Sequence, residues 1–329
     1  MTSVSIGLRK IMQALMVIMV ILLALVLVPV LTTGCKAGVE GVTQESSRAV
    51  MDADGNIIEL DSPAERIVVI APSALEIIAG LDAMDRVVEV DSFSVESGDP
   101  LAKGFEGVGD SYGLNIEKIA GLKPDLLISL TGGSEEDYQK ISELGIEVYR
   151  VININGIEGI YDEIKNISKL IGLEDRGEKL VNELKEEVEK IYSKVKDLDD
   201  ADKPGVFYEM WNDPLMSAGI DTFISDLIEK SGGINILAED NLTGWPEYSV
   251  ETLIERNPDI IIAPLSLAPD PSVIINDPRF SSITAVIEGK VYTVPDNPVS
   301  RPSQNSIKAL QMFSKAIHPE IFGEFEIIE

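Results

Sequence analysis

The sequence predicts an α/β protein with two α/β lobes, joined by a single long rigid helix and separated by a ligand cleft. Three observations lead to this fold class. Short apolar runs alternate with helical patterns from residue 66 onward, and an uninterrupted helical segment lies near the middle of the 329-residue chain. In addition, one sequence pattern occurs on both sides of that segment. A chain of this length has room for two lobes of ordinary domain size.

The alternating region follows a predicted hairpin, AVMDADGNIIEL, in which apolar runs flank an Asp-Gly-Asn turn. This acidic stretch lacks the glycine and glutamate that continue an EF-hand, so we interpret it as a turn. The segments that follow are predicted, in order, as strand RIVVIA, helix PSALEIIAGL, strand RVVEVD, helix NIEKIAGL, strand PDLLISL, helix SEEDYQKISELG and strand IEVYRVI. Such alternation indicates a parallel or mixed sheet with helices on both faces.

Residues 174–198 form the predicted connecting helix. Their apolar residues recur every three or four positions and define one stripe on a helix with charges elsewhere. The stripe comprises Leu180, Leu184, Val188, Ile191, Val195 and Leu198. Pro204 and Gly205 end this region, and VFYEMW begins a second α/β unit.

An internal repeat supports two lobes of similar construction. NIEKIAGLKPDLLIS, at 115–129, aligns without a gap on SVETLIERNPDIIIA, at 249–263. In both copies a helix carrying a glutamate ends at Pro-Asp, and an apolar strand follows. The predicted organisation is a signal or anchor segment at 1–34, a flexible linker at 35–48, an N-terminal lobe at 49–173, the connecting helix at 174–199 and a C-terminal lobe at 200–329.

The N-terminus has the pattern of an export signal. Arg9 and Lys10 precede an apolar run at 11–31, and Cys35, the only cysteine, follows in TTGC. This boundary resembles the lipobox of exported lipoproteins, which implies lipidation of Cys35. The apolar run is also long enough to remain as an uncleaved membrane helix. Both alternatives place the folded chain outside the cytoplasm, anchored to the outer face of the cytoplasmic membrane.

Composition excludes several classes of function. A formal net charge of −29 disfavours nucleic acid, which needs clustered Lys and Arg. With one histidine, His318, and one cysteine, the chain cannot build a His-dependent triad, a Cys–His pair or a His/Cys zinc site. No glycine-rich phosphate loop occurs. We therefore predict no catalytic residue, no metal site and no cofactor, and the remaining enzyme alternative is a carboxylate-dependent hydrolase.

Residues suited to ligand binding are better represented. Met210, Trp211 and Asn212 lie in EMWNDPLMSAG, which we interpret as a loop after a strand, where α/β sheets bind ligands. GDSYG precedes the first repeat helix as TGWPEY precedes the second, and VSRPSQ is a rigid polar loop. The candidate ligand-binding residues are Trp245, Trp211, Tyr112, Met210, Asn212 and Arg301. Aromatic faces with one guanidinium suit a large, flat, partly anionic ligand.

From about residue 50 to the end, the chain resembles the periplasmic-binding family for cobalamin, ferric siderophores and haem. The motifs that carry the resemblance are PAERIVVIAPSALEIIAGL, NIEKIAGLKPDLLIS, DPLMSAG, SGGINI, WPEYSVETLIERNPDIII, EGKVYTV, SRPS and IHPE. Members are solute-binding subunits of ABC importers. The resemblance implies two α/β lobes joined by one helix, a metal-chelate ligand held between them, a permease as partner and a monomeric protein without enzymatic activity.

The resemblance also implies roles for single residues. Glu76 in APSALEII and Glu251 in WPEYSVE match the glutamates that dock on the permease, and both are expected to begin a helix. Trp245 matches a tryptophan that contacts the corrinoid in cobalamin binders, so a corrinoid is the favoured ligand. Tyr112 substitutes for a missing first-lobe tryptophan. A ferric siderophore or haem is the alternative, with Tyr112 or Met210 as axial ligand for haem. A lipid-anchored scaffold that binds no small molecule is a third class.

Overall fold

The computed structural model describes residues 48–328; residues 1–47 and residue 329 lie outside it. The predicted signal segment, Cys35 and nearly all of the predicted linker therefore fall outside the described residues. Between residues 48 and 328, no helix is both long and apolar enough to cross a membrane. Anchoring through the N-terminus stays a prediction.

The first part of the described chain forms a hairpin and a parallel sheet. Its strands are β1 (Arg48–Met51), β2 (Ile57–Leu60), β3 (Ile67–Ile70), β4 (Val87–Val90), β5 (Gly109–Asp110), β6 (Gly113–Leu114), β7 (Leu126–Ser129) and β8 (Glu147–Arg150). Its helices are α1 (Pro72–Gly80), α2 (Ser92–Glu96), α3 (Ile116–Leu122), α4 (Glu135–Glu143) and α5 (Ile157–Leu170). β1 and β2 pair antiparallel, as predicted. The Asp52 carboxylate closes their turn by accepting the Asn56 N–H at 2.8 Å.

The second part follows α6 (Glu174–Tyr192). Its strands are β9 (Gly205–Asn212), β10 (Leu215–Ser217), β11 (Ile234–Asn235), β12 (Ile260–Pro264) and β13 (Val291–Val294). Its helices are α7 (Phe223–Lys230), α8 (Val250–Arg256), α9 (Ser272–Ile275), α10 (Thr284–Ile287), α11 (Asp296–Ser300), α12 (Ser306–Ile317) and α13 (Pro319–Phe322). Short 3₁₀ segments occur at Met84–Arg86, Pro100–Ala102, Asp200–Asp202, Ile236–Ala238 and Pro278–Phe280.

Two sheets of parallel strands confirm the predicted α/β fold class. The first sheet has the order β4-β3-β7-β8, and all its strand pairs are parallel. The second has the order β10-β9-β12-β13, and β11 also pairs with β9. Only β10 in this sheet is antiparallel to its neighbour. Parallel strands end at a common edge, where open α/β sheets bind their ligands.

One continuous buried cluster contains side chains from both sheets. Val69 and Ile128 contribute from the first sheet, Val206 and Ile260 from the second, and Phe313 from α12. The described residues, 48–328, accordingly belong to one compact unit. The predicted boundaries between an N-terminal lobe, a connecting helix and a C-terminal lobe stay a prediction.

The sequence repeat has the same structure in both copies. α3 and β7 contain the first copy, and α8 and β12 contain the second. Asn115 and Ser249 cap the two helices, each accepting a first-turn backbone N–H at 3.0 Å. Both helices then end at a left-handed residue, Lys123 with φ 50° and Asn257 with φ 45°. The repeat is therefore a shared helix–turn–strand unit.

The aspartate of each Pro-Asp pair has the same role in both copies of the repeat, because it accepts backbone hydrogen bonds at the start of an adjacent strand. Asp125 accepts the Glu65 N–H at 2.8 Å and the Arg66 N–H at 3.1 Å, directly before β3. Asp259 accepts the N–H of Gly205, the first residue of β9, at 2.8 Å. Because β3 lies beside β7 and β9 beside β12, each carboxylate holds the start of the adjacent strand. A charged acceptor makes such hydrogen bonds stronger than neutral ones.

The predicted connecting helix is shorter than its apolar stripe indicates. α6 ends at Tyr192, and residues 193–197 form turns, although Val195 stays buried. Val181 occupies the buried position expected for Leu180, which is only half-buried. α6 packs against α5 and α12 and so belongs to a helical layer. Its role as the single rigid link between two lobes stays a prediction.

Replacing the strand-holding aspartate should destabilise the fold. Asp125→Ala removes a charged acceptor from two backbone N–H groups. We expect it to lower the free energy of unfolding by about 1–3 kcal/mol. Urea denaturation measures this change. Asp61→Ala, at an exposed position, is the control and should change stability by at most about 0.5 kcal/mol. Equal effects of the two variants would contradict the assigned role.

Candidate ligand-binding site

A cavity of about 530 Å³ lies at the carboxyl ends of β8, β9, β12 and β13. This volume is within the usual range of small-molecule sites, about 300–1,000 Å³. The lining residues are Ile154, Asn155, Tyr208, Met210, Asp221, Thr222, Phe223, Ile224, Gly244, Trp245, Pro264, Ser266, Asp296, Val299, Ser300 and Pro302. Most of them come from the second sheet and its loops, and two follow β8 of the first.

Trp245, 44% exposed, forms one wall of the cavity. Its loop is held by β10 and the residues after it. The Ser217 N–H donates to Pro246 O at 3.2 Å, and the Gly219 N–H donates to Gly244 O at 2.8 Å. A Cβ at Gly219 would lie 2.6 Å from the facing backbone, so only glycine permits this close approach. The indole is thus presented by a loop whose backbone is fixed at both ends.

Met210 and Trp211 lie on opposite faces of a strand, not together on a loop as expected. β9 continues to Asn212, because β10 pairs with its end through a tight hairpin. Side chains alternate along a strand, so Met210 faces the cavity and Trp211 faces away from it. Pairing with β10 was not evident from the sequence, and this is why the loop interpretation was wrong.

Trp211 and Asn212 instead line a separate open groove with Asp213, Leu267 and Arg279. The Trp211 indole N–H donates to Asp213 O at 2.9 Å, which fixes the ring, although 56% of the residue is exposed. Arg279 bonds the Asp277 carboxylate and the Asn212 side chain. Of the six predicted ligand-binding residues, Trp245 and Met210 therefore line the cavity, and Trp211 and Asn212 line this groove.

Arg301 is buried beside the cavity and points away from it. Its neighbours in sequence, Ser300 and Pro302, line the cavity, but the guanidinium pairs with Asp99 and lies 3.7 Å from the Glu76 carboxylate. The expected guanidinium for an anionic ligand is therefore engaged elsewhere. Its two partners belong to the first part of the chain, so this ion pair joins the cavity-forming loop to that part.

Glu76 does not lie where a docking residue is expected. It is the fifth residue of α1, not its start, and only 5% is exposed. The Asn305 side chain donates to its carboxylate at 2.9 Å, and the Ser303 hydroxyl donates to the same oxygen. Burial raises the pKa of Glu76, although these bonds and the Arg301 charge oppose the shift. A docking carboxylate must be accessible to a partner, and in this structure Glu76 is enclosed.

Glu251 and Tyr112 are both accessible. Glu251 is exposed in the first turn of α8, as expected for a residue that begins a helix. Tyr112 is 82% exposed in the turn between β5 and β6 and does not line the cavity. Phe93 and Leu130 are also exposed, at 60% and 39%, where the chain leaves β4 and β7. Tyr112 thus belongs to an exposed apolar set on the first sheet's side.

The cavity wall is acidic. Asp221 and Asp296 are its charged residues, and no Lys, Arg or His of the described chain lines it. The Asp221 carboxylate accepts the Gly244 N–H at 2.6 Å, and Asp296 accepts the Ser266 N–H at 3.1 Å. Each aspartate retains a second oxygen with acceptor capacity. The wall therefore suits a neutral or cationic ligand that donates hydrogen bonds, which corrects the expected anionic character.

Tyr208 forms the inner wall and remains a neutral phenol. Burial raises its pKa well above the ordinary value, and the negative charge of Asp296 raises it further. A phenolate is the form of tyrosine that binds ferric iron strongly, so this ring is poorly suited to that role. In residues 48–328, no group of three or more His, Cys, Asp or Glu side chains is placed to hold a metal ion.

Comparison with known proteins identifies the family. The model of the periplasmic binding protein family matches residues 67–298. The chain belongs to the periplasmic binding protein family. An uncharacterized ABC transporter substrate-binding lipoprotein of Bacillus subtilis, YvrC, is 27% identical over 92% of this chain and 97% of its own. A cobalamin-binding protein of Halobacterium salinarum is 27% identical over 81% of this chain and 73% of its own.

A solved structure with the same fold comes from Staphylococcus epidermidis. It is described as a possible iron-binding, periplasmic solute-binding protein. Its sequence is 29% identical, its TM-score is 0.67, and the match covers 78% of this chain and 99% of that one. As a periplasmic binding protein, the chain is an extracytoplasmic binding protein and not an enzyme. The hydrolase alternative is therefore not supported.

Sequence reasoning missed several cavity residues of this periplasmic binding protein. Tyr208 was identifiable, because it precedes Met210 by two positions in VFYEMW and so shares its face of the strand. Asp221 and Asp296 carried no comparable signal, since acidic residues are abundant throughout the sequence. They reach the cavity because tertiary packing brings the segment after β10 and the segment after β13 to the same site, although the two are far apart in sequence.

Breaking the buried ion pair of Arg301 should destabilise the folded state. Arg301→Met leaves the Asp99 and Glu76 carboxylates without their cation. We expect it to lower the free energy of unfolding by about 3–5 kcal/mol. Chemical denaturation measures the change, with the exposed Lys103→Met as control. Neutralising the closer partner with Asp99→Asn in the Arg301→Met background should recover part of the loss, and no recovery would contradict the pairing.

Proposed function

We propose that the chain is the extracytoplasmic solute-binding subunit of an ABC importer and that it delivers a corrinoid to the permease. The descriptions of the Bacillus and Halobacterium relatives support the importer role and the ligand class. The observation that carries the choice of ligand is the wall of the cavity. It combines the Trp245 indole with apolar side chains and two aspartates, and no cation among the described residues lines it.

This wall matches the chemistry of a corrinoid. Its macrocycle is large and flat, which suits packing against an indole face. Its periphery carries primary amides, whose N–H groups can donate to Asp221 and Asp296. Haem carries two propionates, and many siderophores are anionic, so both would place like charges beside these aspartates. Juxtaposed like charges cost several kcal/mol at an interface.

A neutral or cationic ferric siderophore is the second candidate. The description of the Staphylococcus structure as possibly iron-binding favours it, and the same wall would accept it. Haem is less well suited, because it carries propionates and because only one of its two expected axial ligands, Met210, lies at the cavity.

Titration of the purified protein with three chelates tests the ligand class. Cyanocobalamin should bind saturably and without turnover, as measured by calorimetry. Haem should bind more weakly because of its propionates, and a neutral ferric hydroxamate distinguishes the second candidate. Failure of all three ligands to bind would contradict the proposed ligand class and favour a scaffold that binds no small molecule.

The two tryptophans provide a matched pair of variants. Trp245→Ala removes a cavity wall and should weaken corrinoid binding by about 1–3 kcal/mol. Trp211→Ala removes an equal ring from the separate groove and should leave affinity unchanged. Calorimetric titration of both variants measures the difference. If Trp211→Ala weakened binding as much as Trp245→Ala, the groove would have to be part of the ligand site.

Glu251 is the proposed contact with the permease, because it is exposed at the start of α8. We expect Glu251→Ala to retain ligand affinity and to reduce uptake of labelled corrinoid in cells. Glu255→Ala, exposed on the same helix, is the matched control and should retain both. Normal uptake with Glu251→Ala would reject the docking role. For Glu76, docking would require release from Ser303 and Asn305, so its variants need a stability measurement beside the uptake assay.

Anchoring completes the proposal. Lipidation of Cys35, or an uncleaved helix at residues 11–31, would hold this monomeric protein beside its permease. The description of the Bacillus relative as a lipoprotein supports the first form. Mass spectrometry of the N-terminal peptide from native membranes distinguishes the two.

A further inference from the structure

Glu209 is a buried carboxyl group without a partner. It lies on β9, between the cavity residues Tyr208 and Met210, and its side chain points to the opposite face of the strand. Only 1% of the residue is exposed, and neither carboxyl oxygen has a hydrogen-bond partner in the described structure. A buried acid without partners is costly when ionised, so this position needs an explanation.

The residue opposite Glu209 is also unsatisfied. Ser217 on β10 is its register partner, and the Ser217 hydroxyl is buried without a described hydrogen-bond partner. Side chains at paired positions have Cβ atoms about 4.5–5.5 Å apart, within reach of each other. The β9–β10 ladder shifts register between Met216 and Ser217, directly at this pair. The pair therefore lies where the hairpin is already irregular.

The same part of β10 holds the Trp245 loop. Besides the bond from the Ser217 N–H to Pro246 O, the Tyr248 N–H donates to Leu215 O at 2.8 Å. Met216 forms a single bridge with Glu247 between these two bonds. A change in the position of β10 would therefore be transmitted directly to the loop that carries the indole.

The charge on Glu209 is poised to change near neutral pH. Burial raises its pKa to about 7, the positive charge of Arg279 opposes this shift, and Asp277 adds to it. Both charged neighbours belong to the segment around Pro278–Phe280. Arg279 is already bonded to Asp277 and Asn212, so it is not free to neutralise Glu209. A neutral carboxylic acid can donate to the Ser217 hydroxyl, whereas a carboxylate can only accept from it and keeps a buried charge.

We propose that Glu209 and Ser217 form a protonation-sensitive support for the Trp245 loop, with Glu209 as a positioning residue for the ligand. The neutral acid keeps β10 close to β9 and the indole in place. The ionised form draws water toward itself, loosens the ladder at its shifted register and weakens ligand binding. This inference rests on the proposed function, since it makes corrinoid affinity fall as pH rises through neutrality.

Fluorescence of Trp245 tests the support without any ligand. The chain has two tryptophans, so Trp211→Phe in the full-length protein leaves Trp245 as the single reporter, and Trp211→Tyr serves if that variant fails to fold. Emission should change with a midpoint near pH 7 and should not change in Glu209→Gln. Glu163, whose pKa burial also raises to about 7, lies on α5, away from this hairpin. Glu163→Gln is therefore the control and should retain the transition.

Cyanocobalamin titrations of the same proteins supply the second readout. Affinity should fall by about fivefold across the transition, at the low end of typical coupling between sites, and should be constant in Glu209→Gln. A transition that persists in Glu209→Gln, or binding that is independent of pH, would overturn the inference while leaving the proposed function intact. A Glu209-dependent fluorescence transition without cyanocobalamin binding at any pH would confirm that Glu209 holds the Trp245 loop and would reject a corrinoid as the ligand.

The pH dependence of the free energy of unfolding tests the direction of the Glu209 pKa shift. Between about pH 4.5 and 7 the folded chain keeps a proton on Glu209 that the unfolded chain has released. The free energy of unfolding should therefore decrease as pH rises through this range. Glu209→Gln and Glu163→Gln should each flatten part of this decrease, but only Glu209→Gln should abolish the Trp245 transition. If both variants abolished that transition, the effect would reflect general stability and not the hairpin.

Discussion

Burial of one continuous apolar cluster is the interaction on which the rest of this structure depends. Val69 and Ile128 of the first sheet share it with Val206 and Ile260 of the second, so the hydrophobic effect fixes the two sheets against each other. Polar contacts across the same boundary then set finer geometry. The Asp226 carboxylate of α7 accepts the Ile157 N–H of α5 at 2.8 Å. The cavity lies beside this shared core. Its walls are carried by the ends of strands that the core holds in place.

Local contacts determine which side chains face the cavity. Pairing of β10 with β9 directs Met210 inward and Trp211 outward. Close backbone approach at Gly219 brings the Trp245 loop down onto β10. The ion pair of Arg301 with Asp99 directs the Arg301 guanidinium away from the cavity. As a result the cavity is aromatic and acidic, and its preference for ligands follows from contacts that lie outside it.

The sequence was sufficient for features that depend on local pattern. Alternating strands and helices gave the fold class, and the repeat was visible because capping, helix end and Pro-Asp are encoded within fifteen residues of sequence. It was insufficient where distant segments meet. Burial of Glu76 depends on Ser303 and Asn305, more than two hundred positions away, and Asp296 reaches the cavity through sheet order. The outward direction of Trp211 required knowledge of β10, which the tight hairpin conceals.

The uneven origin of the cavity walls has a geometric consequence. Ile154 and Asn155 are the lining residues from the first sheet's side, whereas the indole and both aspartates come from the second. The two sheets share a repeated construction, yet the cavity between their strand ends is chemically one-sided. A ligand with a polar rim on one edge therefore has one favourable orientation there, with its donors toward Asp221 and Asp296. Transfer of such a ligand would therefore always present the same edge of the ligand to the permease.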